Sequence, residues 1–235
     1  MARASTSPHN RSASRNGVTQ SSRVKPLLRG VSHQIAFVVT LVAGIVLVLR
    51  APNPTARIST AIYIASVATL FGISALYHRP TWSVIARARM RRLDHSAIFV
   101  LIAGTYTPMA LTLPAASANR MLTVAWIGAV LGILRALFWV KAPKWLVAAL
   151  ALAMGWLAIL YFPAIRDVTS TWVVIWMVAG GLAYSIGAVI YAVRRPDPWP
   201  RMFGYHEIFH ALVIVGAACH FAAVVTALPA IGRYM

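Results

Sequence analysis

Long apolar runs separated by short polar loops fill most of the chain from residue 33 onward. Seven of them approach or exceed the ~18 residues that mark a transmembrane helix. They cover residues 33–49, 58–77, 94–113, 121–140, 145–162, 172–193 and 206–228. The pattern predicts an all-α polytopic membrane protein, a seven-helix bundle in which residues 28–235 form one membrane domain and no separate soluble domain fits. The third run carries Gly104 and Pro108, and a proline at that depth requires neighbours that re-satisfy the freed carbonyl. Residues 1–27 are rich in Ser, Arg and Asn and contain no apolar run. They read as a disordered basic arm on the cytoplasmic side and lack the apolar region of a signal peptide.

Composition agrees with a lipid solvent. Sixty per cent of the residues are hydrophobic and 11% are charged, against roughly 25% charged in a soluble domain. The formal net charge of +18 invites a nucleic-acid reading, but its distribution argues otherwise. Arg3, Arg11, Arg15, Arg23, Lys25 and Arg29 precede the first run; Arg79, Arg87, Arg89, Arg91 and Arg92 separate the second from the third. Lys141 and Lys144 follow the fourth run, and Arg194, Arg195 and Arg201 follow the sixth. The alternate loops hold only Arg50, Arg57, Arg120, Arg166 and Arg233, while Arg135 sits near the end of the fourth run. This asymmetry puts the N-terminus in the cytoplasm and the C-terminus outside, as in a multi-pass protein of the inner or plasma membrane. The expected partners are membrane lipids, with anionic headgroups at the basic loops and no nucleic acid. Cys219 is the single cysteine, so no intramolecular disulfide is expected, and no internal repeat is evident.

The topology decides which polar groups meet. The second run ends at the cytoplasmic face with Ser74 and His78, the third begins there with Asp94 and His95, and the seventh begins there with His206, Glu207 and His210. Residues at i and i+4 project from one side of a helix about 6 Å apart, and neutral imidazole is the commonest metal ligand. A further histidine and a carboxylate from other helices would complete a Zn²⁺ site with an open position. Ionisable groups inside membrane helices are expensive and usually functional. His206 and His210 are therefore read as ligands, whereas His78 alone fits either a ligand or the interfacial layer. His33 and His95 are expected in the headgroup layer. Asp94 could be a helix N-cap, an ion-pair partner of Arg91 or Arg92, or a proton-transfer group. His220 lies ten residues past His210, about 15 Å further along a helix, and is expected to be a packing histidine or a polar group in a cavity.

His206-Glu207-Ile208-Phe209-His210 also fits the H-E-x-x-H pattern of zinc metalloproteases, in which the Glu is the base. An intramembrane protease of the site-2 kind takes a third ligand from a later Asp, and no acidic residue follows Glu207. That reading is the weaker one. Glu207 would then accompany a ligating His or face Arg201.

These motifs carry a family resemblance. Ser-x3-His ending the second run, Asp94 opening the third and His-x3-His opening the seventh resemble the pattern of hemolysin III proteins, progestin and adiponectin receptors, and alkaline ceramidases. Arg92-Leu93-Asp94-His95-Ser96-Ala97-Ile98-Phe99, Ala103 to Pro108, Phe203 to His210 and Cys219-His220-Phe221 are especially similar to bacterial hemolysin III proteins. The resemblance spans nearly all of residues 30–230. It implies that His78, His206 and His210 hold zinc, that Asp94 holds and deprotonates a water at the metal, and that Ser74 supports it or contacts substrate. It further implies a hydrolase of lipid amide or ester bonds, or else a membrane-perturbing protein or receptor-like sensor whose metal staples two helices.

Overall fold

The computed structural model describes residues 26–139 and 142–234, and among them every regular element is helical. Seven rods follow in chain order. They are α1 (Val31–Leu49), α2 (Pro54–His78), α3 (Val84–Ala110), α4 (Ala115–Phe138), a composite fifth rod, α7 (Thr171–Val193) and α8 (Tyr205–Ala227). The fifth rod runs from α5 (Lys144–Trp156) through a 3₁₀ segment (Leu157–Tyr161) into α6 (Phe162–Val168). Arg3, Arg11, Arg15, Arg23, Lys25 and Lys141, together with most of the expected arm over residues 1–27, lie outside the described residues.

Six rods are long and apolar enough to cross a membrane. The exception is α3, whose first half carries four arginines, Asp94 and His95, and whose second half carries Thr105 and Thr107. It is nonetheless central, packed between α2 and α4 with Phe99, Leu101, Ala103 and Met109 all buried. Polar content thus lowers its hydropathy while its neighbours, rather than lipid, receive its faces. The hydroxyls of Thr105 and Thr107 donate back to the Leu101 and Ala103 carbonyls at 2.8 and 2.9 Å, and the helix continues through Pro108.

Helix ends follow local chemistry. Asn53 caps α2 by accepting from Ala56 N at 2.8 Å, with Pro54 preset for the first turn. This starts the helix before the apolar run at 58. Ser83 caps α3 by accepting from Ala86 N at 3.3 Å. Asp94 is therefore not an N-cap. It lies three turns inside α3, because Val84–Arg92 is rich in Arg, Ala and Met, good helix formers that extend the helix beyond its apolar stretch.

Association of the rods relies on small residues, as expected where lipid removes any hydrophobic drive between helices. In α4, Ala118, Met121, Ala125, Ala129, Gly132 and Ala136 recur at three- and four-residue intervals and are buried. A Cβ at Gly132 would overlap the Phe99 ring of α3. The opposite helix faces are apolar and exposed, as with Val38, Val42 and Ile45 of α1, which suits acyl chains. Neighbours in sequence pack side by side, α7 lies along α8, and α1 touches α8 to close the bundle. The fifth rod sits more loosely, chiefly against α7.

Candidate metal centre

His78 is the last residue of α2; His206 and His210 occupy the first turns of α8. The bundle brings all three to one end, where one ring nitrogen from each lies within 4.8 Å of the others. His78 Nε2 and His206 Nε2 stand 3.2 Å apart. Two nitrogens bound to a tetrahedral Zn²⁺ at 2.0–2.1 Å would stand about 3.3–3.4 Å apart, close to the His78–His206 spacing, with the His210 nitrogen within 4.8 Å of both. His78 and His210 are buried and His206 is partly so. The three histidines could hold a metal ion.

The surroundings fix these rings from several sides. His33 of α1 stacks flat on His210, with centroids 3.9 Å apart and planes 8° apart. Its Nε2 lies 3.3 Å from the His210 carbonyl oxygen, and Phe71 meets its ring edge-on at 5.0 Å. Hence the His33 ring is enclosed by protein rather than exposed to headgroups. It is 2% exposed, because the close approach of α1 to α8 encloses it. Gly30, just before α1, has φ of 80°, and a Cβ there would stand 2.8 Å from His78 Cβ. Only glycine combines that backbone with that approach.

Glu207 has both oxygens engaged. Arg29 Nε donates to Oε1, and Gly204 N donates to Oε2 at 2.9 Å, which caps α8. It is 4% exposed and ties the segment before α1 to the start of α8. It faces Arg29, not Arg201.

Asp94 stands apart from the closely spaced triad but shares its cavity, and its carboxylate is hydrogen-bonded to the Ser74 side chain. Ser74, one helical turn before His78, is buried on the same face of α2. Arg29–Glu207 and Arg166–Asp167 form ion pairs, and Asp94 forms none with Arg91 or Arg92. His95 is half-buried beside it and also lines the cavity. His220 lies at the far end of that cavity. Its Nε2 is 3.2 Å from the Met177 carbonyl oxygen, and its ring meets Tyr184 at 5.4 Å, well away from the triad. Cys219 is a free thiol.

The cavity measures about 680 Å³ and runs from the triad and Asp94 past Leu101, Tyr106 and Leu152 to Trp156 and Tyr184. That volume is within the range of small-molecule sites. Tyr191 of α7 lines the cavity, its ring centroid 5.6 Å from that of His206. Sequence reasoning gave Tyr191 and Gly30 no role, read Arg29 only as a basic-loop charge, and placed His33 in the headgroup layer. Tyr191, near the cytoplasmic end of α7, shares that depth and carries a polar ring, the signal that could have found it.

Residues 21–221 match the family described as Haemolysin-III related. The chain belongs to this family. Among its curated relatives, the haemolysin-III related protein "Hemolysin-3 homolog" of Bacillus subtilis (strain 168) is 30% identical over 202 residues, 84% of this chain and 92% of that one. "Hemolysin-3" of Bacillus cereus is 29% identical over 202 residues, 84% and 89% of the respective chains. "Heptahelical transmembrane protein ADIPOR2" of Oryza sativa subsp. japonica is 32% identical over 184 residues, covering 69% and 79%. The haemolysin-III fold here is accordingly a multi-pass helical membrane protein with a histidine cluster able to hold a metal.

Proposed function

We propose that this protein is a zinc-dependent hydrolase of an amide or ester bond in a membrane lipid, working at the cytoplasmic side of the inner or plasma membrane. His78, His206 and His210 hold the zinc, and the single observation that carries the reading is the cavity joining this triad to an apolar interior beside Asp94. A closed cluster serving only to staple helices would need no such space. Zinc in a three-histidine site polarises a carbonyl and acidifies water.

The protein's own groups supply the rest. The Asp94 carboxylate, oriented by its hydrogen bond with Ser74, takes the proton of the attacking water and returns it to the leaving amine or alcohol. The apolar walls from Leu101 to Trp156 take up an acyl chain and exclude bulk water. Tyr191, beside His206 in the cavity wall, faces the polar part of the lipid. The Arg29–Glu207 pair keeps α1 against α8, so His33 holds its stack on His210. A site-2-like protease is the weaker reading, because Glu207 is engaged in an ion pair with Arg29 and in capping α8 at Gly204 N, and no acidic residue follows it to supply a third ligand.

The name Hemolysin-3 borne by two relatives favours a second reading, a membrane-perturbing protein with a structural zinc. The two separate in one experiment. Purified protein is analysed for zinc by mass spectrometry, then incubated with ceramides and phospholipids with and without chelator. Turnover that chelation abolishes and zinc restores supports the hydrolase. Zinc-loaded protein that turns over no lipid yet releases dye from vesicles supports the second reading.

A further inference from the structure

One face of α3 forms part of the cavity wall and changes character along its length. Arg87, Arg91, Asp94, Ile98, Leu101 and Thr105 all line the cavity, and their spacing of three or four residues places them on a single helical stripe. From Ile98 onward the stripe is largely apolar. On the other side of Asp94, at the triad end, it presents two guanidinium groups. Arg91 lies about 4.5 Å and Arg87 about 10.5 Å before Asp94 along the helix axis, at 1.5 Å per residue. Arg89 lies two residues from each, about 200° around the helix, and is not part of the wall.

Neither cavity arginine has a part in the proton transfer proposed above, and the protein does not neutralise them. Asp94 is the only acid among the described residues of the wall; it is bonded to Ser74 and forms no ion pair with Arg91. Arg29, the third arginine of the wall, is held by Glu207. Asp197, near this end, accepts from Tyr205 N at 3.0 Å, and Asp167 pairs with Arg166. Arg87 stands over the Tyr77 ring, 5.6 Å from its centroid, a cation–π contact that holds the side chain at the wall. The cavity therefore has a cationic end, a proton-transfer group next to it and an apolar remainder.

We propose that this cavity takes a net-anionic glycerophospholipid, with its phosphate on Arg87 and Arg91, an acyl ester beside Asp94 and one acyl chain along the apolar wall toward Trp156. The fixed donor fork of a guanidinium matches phosphate oxygens. Two glycerol carbons separate the phosphate ester oxygen from the nearer acyl ester, so phosphate and ester together span the interval between the arginines and Asp94. A ceramide or a diacylglycerol has no anion for that end. A choline or ethanolamine group would bring a cation to a place already in excess of positive charge. Cleavage of this lipid rests on the hydrolase reading of the same cavity. Water oxygen bonds to the ester carbonyl carbon, the bond from that carbon to the glycerol oxygen breaks, and the water proton passes through Asp94 to the departing oxygen, giving a fatty acid and a lysophospholipid.

Full-length protein stripped of metal by chelator is equilibrated in detergent micelles with dioleoylphosphatidylglycerol, dioleoylphosphatidylcholine or dioleoylglycerol, and retained lipid is counted by native mass spectrometry. Phosphatidylglycerol should be retained over the other two. Arg87→Gln and Arg91→Gln should each weaken its retention about tenfold, as for loss of one charge-assisted partner, whereas Arg89→Gln should not. All three side chains are exposed, so glutamine there leaves the fold intact. In zinc-loaded protein, Arg87→Gln and Arg91→Gln should lower kcat/KM for oleate release from phosphatidylglycerol about tenfold more than for release from dioleoylglycerol. Equal losses in Arg89→Gln would overturn the site in favour of diffuse charge attraction, and displacement of the lipid by millimolar inorganic phosphate would overturn the lipid source. Turnover of dioleoylglycerol or ceramide as fast as phosphatidylglycerol overturns the headgroup assignment and leaves the hydrolase standing. Retention that depends on Arg87 and Arg91, without turnover of any lipid, overturns the hydrolase reading and leaves the lipid site standing.

Discussion

Gly30→Ala changes one methyl group on a residue that is not itself a ligand, and its effect on zinc can be worked from the structure. Gly30 has φ of 80°, so alanine there costs about 1 kcal/mol of backbone strain. The new Cβ would meet His78 Cβ at 2.8 Å, where ordinary contact begins at 3.4 Å. Relief requires His78 or the start of α1 to shift by about 0.6 Å, several times the ~0.2 Å tolerance of a zinc–ligand distance. The obstacle is His78 Cβ, next to its backbone, so a rotamer change cannot remove it. Disturbing a residue that supports a ligand typically lowers metal affinity 10–100-fold, about 1.4–2.7 kcal/mol. Competition with a chromogenic chelator measures that affinity, and thermal unfolding with and without zinc separates strain from metal loss. The apo protein should lose about 1 kcal/mol of stability and the zinc-loaded protein more than twice that. Gly155→Ala is the control, since a Cβ there meets nothing within 4 Å. Wild-type zinc affinity in Gly30→Ala would refute the reasoning.

Other outcomes follow from the same geometry. His206→Ala and His210→Ala should each lose most bound zinc and the stabilisation it confers, about 2.7 kcal/mol when zinc is at 100 times its Kd, while His220→Ala keeps full zinc content by mass spectrometry. Asp94→Asn should retain zinc and fold yet lower lipid turnover by about 10²–10⁴-fold. Glu207→Gln should instead destabilise the protein by about 2 kcal/mol through the weakened Arg29 pair, with little change in turnover; the reverse pattern in a turnover assay would restore the protease reading. A reporter fused after Arg29 should read cytoplasmic and one after Met235 external, and a cytoplasmic C-terminus would undo the orientation read from the basic loops.

Much of this architecture was legible because a bilayer imposes one length scale. The expected run 172–193 became Thr171–Val193, and 206–228 became Tyr205–Ala227. Parity of the spans then brought His78, His206 and His210 to one depth, and their ring nitrogens do converge. What escaped reading depends on information other than hydropathy. The first ten residues of α3 are helical but charged, so nothing in an apolar pattern marks them. The 3₁₀ break at Leu157–Tyr161 lies inside a uniformly apolar stretch, where periodicity carries no contrast. His33 was assigned to the headgroup layer because depth alone cannot tell which side of a helix faces a neighbour. The need for glycine at position 30 arises from a positive φ and a residue 48 positions away, neither of which a local pattern holds.

Two of the three clustered imidazoles belong to α8, and the third lies 128 residues earlier than His206. A ribosome must therefore deliver the last helix before the cluster exists at all. A chain halted after α7 carries His78 alone and has nothing with which to retain an ion. On the proposed reading, metal uptake by this triad is a terminal step of biogenesis and distinguishes finished molecules from truncated ones. Pulse-labelled cells should show incorporation of radioactive zinc lagging behind synthesis of the first six rods.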